Sequence, residues 1–196
     1  MSRLLIAFLF TATLVAQNKN TMELPFDQIP QAQEEYSSGN VVKRMVDGLG
    51  YRYYWATEGL RKEDLVFKPS EDSRSAQQTL EHIYGLSEMI VNAALNKANV
   101  RPSAFSAESF AELREATLRN LKEASDALTG LTKQQIAELE VVFESNGKRM
   151  VFPFWNMLNG PLADALYHTG QIVSFRRVSG NPMNPKVNVF MGQNNE

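Results

Sequence analysis

Two histidines and an aspartate carry most of the chemistry this sequence offers. Asp164 and His168 stand four residues apart in a stretch, 159–177, whose apolar pattern reads as a helix. At that spacing both side chains lean off one face, with Cβ atoms about 5–6 Å apart. Leu162, Ala165, Ile172 and Phe175 recur beside them at helical spacing, so the pair borders a core-facing row. Polar groups in such a place need partners. A divalent metal would satisfy both if a third ligand came from another helix. The one other histidine of the chain, His82, lies in a second amphipathic segment. The same residues also suit a hydrogen-bonded pair in which the carboxylate orients the ring, and a lone histidine on an apolar row is more often a core residue than a ligand.

Other polar residues offer less. Gln171, one turn beyond His168, is placed either to hydrogen-bond a ligand ring or to pack between helices. Glu81 and Glu88 are candidates for a general base, but Glu81 points about 100° around the helix from His82 and Glu88 is also off that face. Arg176 and Arg177 suit an anionic substrate, and they equally suit the last turn of a helix, where the dipole favours cations. Phe152, Phe154 and Trp155 read as core rather than as a ligand cage.

The chain that must position these groups has 196 residues, enough for one well-buried domain. Its formal charge of −2 comes without a basic block or stripe, so the footprint of a nucleic-acid binder is missing. There is no cysteine, which excludes disulfides and thiolate ligands. At the N-terminus Arg3 precedes an apolar run, Leu4 to Ala16, followed by polar Gln17-Asn-Lys-Asn. That order of basic, apolar and small residues reads as a signal peptide over 1–16, cut after Ala16. The run is short for a membrane span. The expected product is periplasmic or secreted, without a stable membrane anchor.

Residues 17–37, with Pro25 and Pro30, read as an extended lead-in. Val42, Met45, Leu49, Tyr53, Ala56 and Leu60 then mark a first helix, with Gly48 and Gly50 as weak points inside it. Ser75 and Gln78 form a capping-box pattern for a second, whose row is Ala76, Leu80, Ile83, Leu86, Ile90 and Ala94. Ser109 and Glu112 repeat the pattern for a third, which ends at Gly130. Residues 139–152 are β-branched and aromatic around Asn146-Gly147, a strong hairpin signal. The last helix starts at Phe154–Leu158, is interrupted by Gly160-Pro161, and stops at Gly180-Asn-Pro182. The predicted class is all-α: a four-helix bundle over 38–182, with a small hairpin between the third and fourth long helices and a tail at 183–196. Bundles build metal sites from side chains on facing helices.

Two motifs in order add a resemblance. His168-Thr-Gly-Gln-Ile172, followed by Arg176 or Arg177 and Gly180-Asn-Pro182, is similar to the last-helix motif of the DinB-like family. Leu65-Val-Phe-Lys-Pro69 followed by Ser75 to His82 is similar to that family's start of the second helix, ending in its first metal-binding histidine. The resemblance runs from about Val41 to Pro182. It implies a four-helix bundle with three ligands on a divalent metal: His82, His168 and, where the family pattern has histidine, Asp164. Two histidines and a carboxylate still hold zinc, nickel, iron or manganese.

The expected function is therefore a metal-dependent hydrolase acting on a small substrate outside the cytoplasm, through water whose pKa the ion lowers. A non-catalytic metal- or ligand-binding bundle, a thiol-dependent transferase, and a structural bundle with a decayed site are the alternatives. The sequence names no substrate, and a homodimer is compatible with it.

Overall fold

A computed structural model of the chain describes residues 23–103 and 105–196. The expected signal peptide and the first residues of the lead-in lie outside the described residues. Four long helices dominate, and their apolar faces meet in one core.

The first, α1 (Ser38–Thr57), begins at Ser37, whose hydroxyl accepts the Asn40 amide. It runs unbroken through Gly48 and Gly50. Gly50 is there because the Phe26 ring of the lead-in packs on it: a Cβ at that position would meet the ring at 2.6 Å. A short turn, α2 (Lys62–Leu65), leads to α3 (Ala76–Ala94). The capping box of α3 forms as its sequence suggests. Ser75 Oγ accepts the Gln78 amide at 3.1 Å, and Gln78 Oε1 accepts the Ser75 amide at 2.9 Å.

After α3 comes β1 (Ala98–Val100), then α4 (Phe110–Leu128). Here the second expected box closes differently. Ser109 caps the Glu112 amide, but Glu112 Oε2 accepts from the Glu108 amide instead of from Ser109. One turn of helix, α5 (Lys133–Ala137), precedes the hairpin of β2 (Glu140–Ser145) and β3 (Lys148–Pro153). Its two-residue turn has Asn146 at φ 49° and Gly147 at φ 73°, the mirror-image turn that fits strand twist.

The chain then enters α6 (Trp155–Met157), a π-helical turn over Leu158–Leu162, and α7 (Ala163–Val178). Pro161 does not break the path. It has no amide hydrogen to place, and the wider π turn takes up the residue. Finally β4 (Val187–Asn188) and β5 (Gln193–Asn194) form a small ribbon.

The strands correct the all-α expectation. The hairpin is joined by β1, parallel to β2 with Asn99 opposite Phe143, so a three-stranded sheet in the order β1-β2-β3 lies on the bundle. The segment 183–196 is also structured. Tyr51 Oη lies 3.1 Å from Asn194 Oδ1 and accepts the Asn188 amide, and the Ile29 amide donates to the Gly192 carbonyl at 2.7 Å. The fold is thus mostly helical, with four long helices and two small sheets. Among the described residues, no helix is long and apolar enough to cross a membrane.

Candidate metal centre

His82, Asp164 and His168 come together between α3 and α7. On α7 the fully buried stripe is Ala165, Thr169, Ile172 and Arg176, which sets the rotation of the helix. Asp164 and His168 each precede a stripe residue by one position, so they flank the core and lean toward α3. On α3, Leu80 and Ile83 are fully buried. His82 sits between them in sequence and leaves the core on the side facing α7.

The geometry is close. His82 Nε2 lies 3.2 Å from Asp164 Oδ2, and His168 Nε2 lies 3.3 Å from Asp164 Oδ1. The two imidazole rings meet edge to face, with centroids 4.7 Å apart. One ligand atom from each of the three side chains falls within 4.8 Å of the others. Donors bonded to one tetrahedral ion at about 2.0–2.1 Å stand about 3.3–3.4 Å apart, close to the separations here.

Gln171 bears on the protons. Its Oε1 lies 2.7 Å from His168 Nδ1, and with the ring proton on Nδ1 the Nε2 atom, 3.3 Å from Asp164 Oδ1, is left as a donor for a metal. The residues therefore fit a divalent cation, with one negative charge and two neutral nitrogen donors of the kind zinc, nickel, iron and manganese accept. The His168 side chain is 13% exposed, against 32% for His82 and 42% for Asp164, so the site opens on the Asp164 side.

On that side is an open cleft of about 460 Å³. Leu86 and Met89 of α3 form one wall, Asn159, Pro161 and Tyr167 the other, and Asp164 reaches its edge. The Tyr167 ring stands edge-on to His168, with centroids 5.2 Å apart. The π turn is what brings Asn159 and Pro161 to the cleft. A second cleft, about 470 Å³, separates residues 31–36 from α1 and contains none of the three.

The remaining candidates fall elsewhere. Glu81 is exposed and bonded to Gln77, and Glu88 faces Ser103 and Arg101. Arg176 is buried. It donates to the carbonyls of Trp55, Ala56, Glu58 and Asn181, closing the C-terminal end of α1. Arg177 is exposed. Of the three aromatics read as core, Phe154 is buried, whereas Trp155 is 75% and Phe152 37% exposed. In a helix of three residues only one side can face the core, and Phe154 and Met157 take it.

Two buried polar clusters hold the bundle. Asp64 accepts from Arg61, Ser179 and Asn181, and the Arg61 guanidinium above all holds its carboxyl well below the usual carboxylate range. Lys43 Nζ donates to Asp47 at 2.7 Å and to Ser125 at 2.8 Å, while Ser125 donates to Asp47, tying α1 to α4. Their only trace in the sequence is the four-residue spacing of Lys43 and Asp47 on an apolar face.

A crystal structure of a DinB-like protein from Bacillus subtilis superposes on this chain with a TM-score of 0.51, covering 76% of this chain and 98% of that one at 19% identity. The fold is DinB-like. No family model matches the sequence, and no curated protein matches it. The likeness is thus one of DinB-like architecture, and the group of His82, Asp164 and His168 is a feature of this chain's own geometry.

Proposed function

We propose that this DinB-like protein is a metal-dependent enzyme, a hydrolase of a small substrate, with His82, Asp164 and His168 as its metal ligands. The observation that carries the reading is the Asp164 carboxylate between two imidazole nitrogens, at 3.2 and 3.3 Å. A divalent ion held there would act as a Lewis acid toward a substrate oxygen and toward water.

The chain's own residues supply the rest. Gln171 holds the His168 ring through Nδ1 and leaves Nε2 for the ion. Leu86, Met89 and Pro161 offer apolar contact to a substrate in the adjoining cleft, and Asn159 and Tyr167 offer polar atoms at its rim. The N-terminal order of Arg3, an apolar run and Ala16 supports action outside the cytoplasm, after removal of 1–16.

A second reading, metal or ligand binding without catalysis, is favoured by one observation. Glu81 and Glu88, the carboxylates that neighbour His82 in sequence, are engaged with Gln77 and with Ser103 and Arg101. A panel of esters, amides and phosphoesters, run on metal-loaded and chelator-treated protein, separates the two. The enzyme reading expects turnover that chelation abolishes, that added metal restores, and that His82→Ala lacks. Metal-loaded protein that turns over no member of the panel at a rate above free metal would favour binding alone.

A further inference from the structure

We propose that two copies of this chain pair through the outer edge of β3, antiparallel, about a two-fold axis at Val151. β3 has β2 on one side and, among the described residues, no strand on the other. The two-residue turn at Asn146-Gly147 makes Ser145 and Lys148 a hydrogen-bonded pair, and pairs alternate from there. The backbone groups of Lys148, Met150 and Phe152 therefore point to β2. Those of Arg149 and Val151, and the carbonyl of Pro153, point outward and are unpaired in the ladder. Proline is tolerated in an edge strand where its missing amide hydrogen would have faced away from the sheet, and Pro153 occupies such a position.

The side chains match the edge. Met150 is 53%, Val151 46% and Phe152 37% exposed, and Trp155 follows at 75%. Edge strands are ordinarily guarded by charges, prolines or bulges. In β3 the charges, Lys148 and Arg149, lie at the turn and Pro153 at the far end, so the middle is open and apolar.

A second copy is the occupant this edge suits because the strand complements itself. With Val151 opposite Val151, each donates to the other's carbonyl. Arg149 then stands opposite Pro153 and donates to its carbonyl, once in each direction. Met150 stands opposite Phe152, a sulfur–aromatic contact of a favourable kind. No like charges are opposed. A shift toward the turn would oppose the two Arg149 side chains, and a shift away would oppose the two Pro153 residues and lose both central bonds, whereas with Val151 on the axis only the two Arg149 carbonyls go without an amide. An extended peptide of another protein could use the same backbone groups, but would have to reproduce this pattern of apolar centre and separated charge.

The absence of cysteine makes the test direct. At a hydrogen-bonded antiparallel pair the Cα atoms are about 5.5 Å apart, within disulfide range. Purified Val151→Cys is expected to form an interchain disulfide on mild oxidation, while Lys148→Cys, three residues from the axis, is not. Sedimentation of the wild type should give twice the mass of the 22.1 kDa chain (less the leader if that is cut). Val151→Lys, which places two ammonium groups on the axis at an exposed position, should halve it with the helical circular dichroism unchanged. A wild type that stays monomeric at every concentration, including one whose edge takes up an added extended peptide, would overturn the proposal. So would a dimer indifferent to Val151→Lys, or cross-linking through Lys148→Cys as fast as through Val151→Cys.

Discussion

His82 Nε2 and Asp164 Oδ2 lie 3.2 Å apart although 82 positions separate the two residues in sequence. The contact joins the second and fourth long helices at the edge of the core. Breaking the sequence link between Asp164 and His168 alone would not reveal it, because those two are brought near each other by helical spacing whatever their role.

The role of Asp164 is separable by substitution. If it is a ligand, Asp164→Ala removes one of three donors and the only negative charge, and metal affinity should fall by far more than the loss of an outer hydrogen bond, about 10–100-fold. Asp164→His should recover part of the affinity, since imidazole serves the same metals. If Asp164 only orients the rings, Asp164→Asn should retain most of the affinity and Asp164→His should do no better than alanine. Calorimetric titration of zinc and nickel into these variants distinguishes the two patterns.

Acid stability should depend on Asp64. Its carboxyl is held below the ordinary range by Arg61, with help from Ser179 and Asn181. A carboxyl with a depressed folded pKa stabilises the fold above its unfolded pKa of about 3.9, and the contribution is lost as pH falls below that. Asp64→Asn should lower stability at neutral pH by about 2 kcal/mol, and should flatten the decline of stability below pH ~4. Urea unfolding of both proteins across that range measures it.

Alkaline stability should respond to Tyr53. The side chain is fully buried, its hydroxyl lies beside Thr117, and burial pushes its pKa up to about 12. The neutral form is favoured in the fold, so this contribution is intact below the unfolded pKa of about 10 and is lost as pH rises toward 12. Tyr53→Phe should remove that loss. At neutral pH, where the hydroxyl has Thr117 beside it, the variant should differ from the wild type by no more than about 1 kcal/mol. Thermal melts at neutral pH and above pH ~10 read both effects.

Gly48 and Gly50, in the middle of α1, should answer alanine with opposite signs. A Cβ on Gly48 meets only the tip of Arg52, which can move, so Gly48→Ala should stabilise by about 0.5–1 kcal/mol through helix propensity. A Cβ on Gly50 meets the Phe26 ring at 2.6 Å. Gly50→Ala should destabilise by about 1–3 kcal/mol, the usual cost of overpacking. Denaturant midpoints of the two variants test this.

The contrast between those glycines shows what the sequence carried. Rows of apolar residues at helical spacing marked all four long helices, Ser75 with Gln78 marked a helix start, and Asn146-Gly147 marked the hairpin. Each of these is a local signal. What escaped depends on contacts far apart in the chain. β1 is three residues near Pro102, and it is a strand because its backbone pairs with β2 and the Asn99 side chain bonds the Val142 carbonyl. The ribbon at 187–194 rests on Tyr51, and Trp155 faces outward because Phe154 and Met157 occupy the inward side. At the site, the spacing of Asp164 and His168 was legible and the histidine on the other helix was indicated by resemblance. The cleft was not, because the π turn that forms its wall leaves only Gly160-Pro161 in the sequence, which reads as an interruption.

The central claim is that His82, Asp164 and His168 hold one divalent ion between α3 and α7. Its most direct test is metal titration into chelator-stripped wild type and His82→Ala, the variant that removes the donor from the opposite helix and leaves Asp164 and His168 in place. One ion per chain in the wild type, with His82→Ala weakened at least a hundredfold while its melting is little changed, is the expected result. Equal affinity and stoichiometry in the two proteins would contradict it.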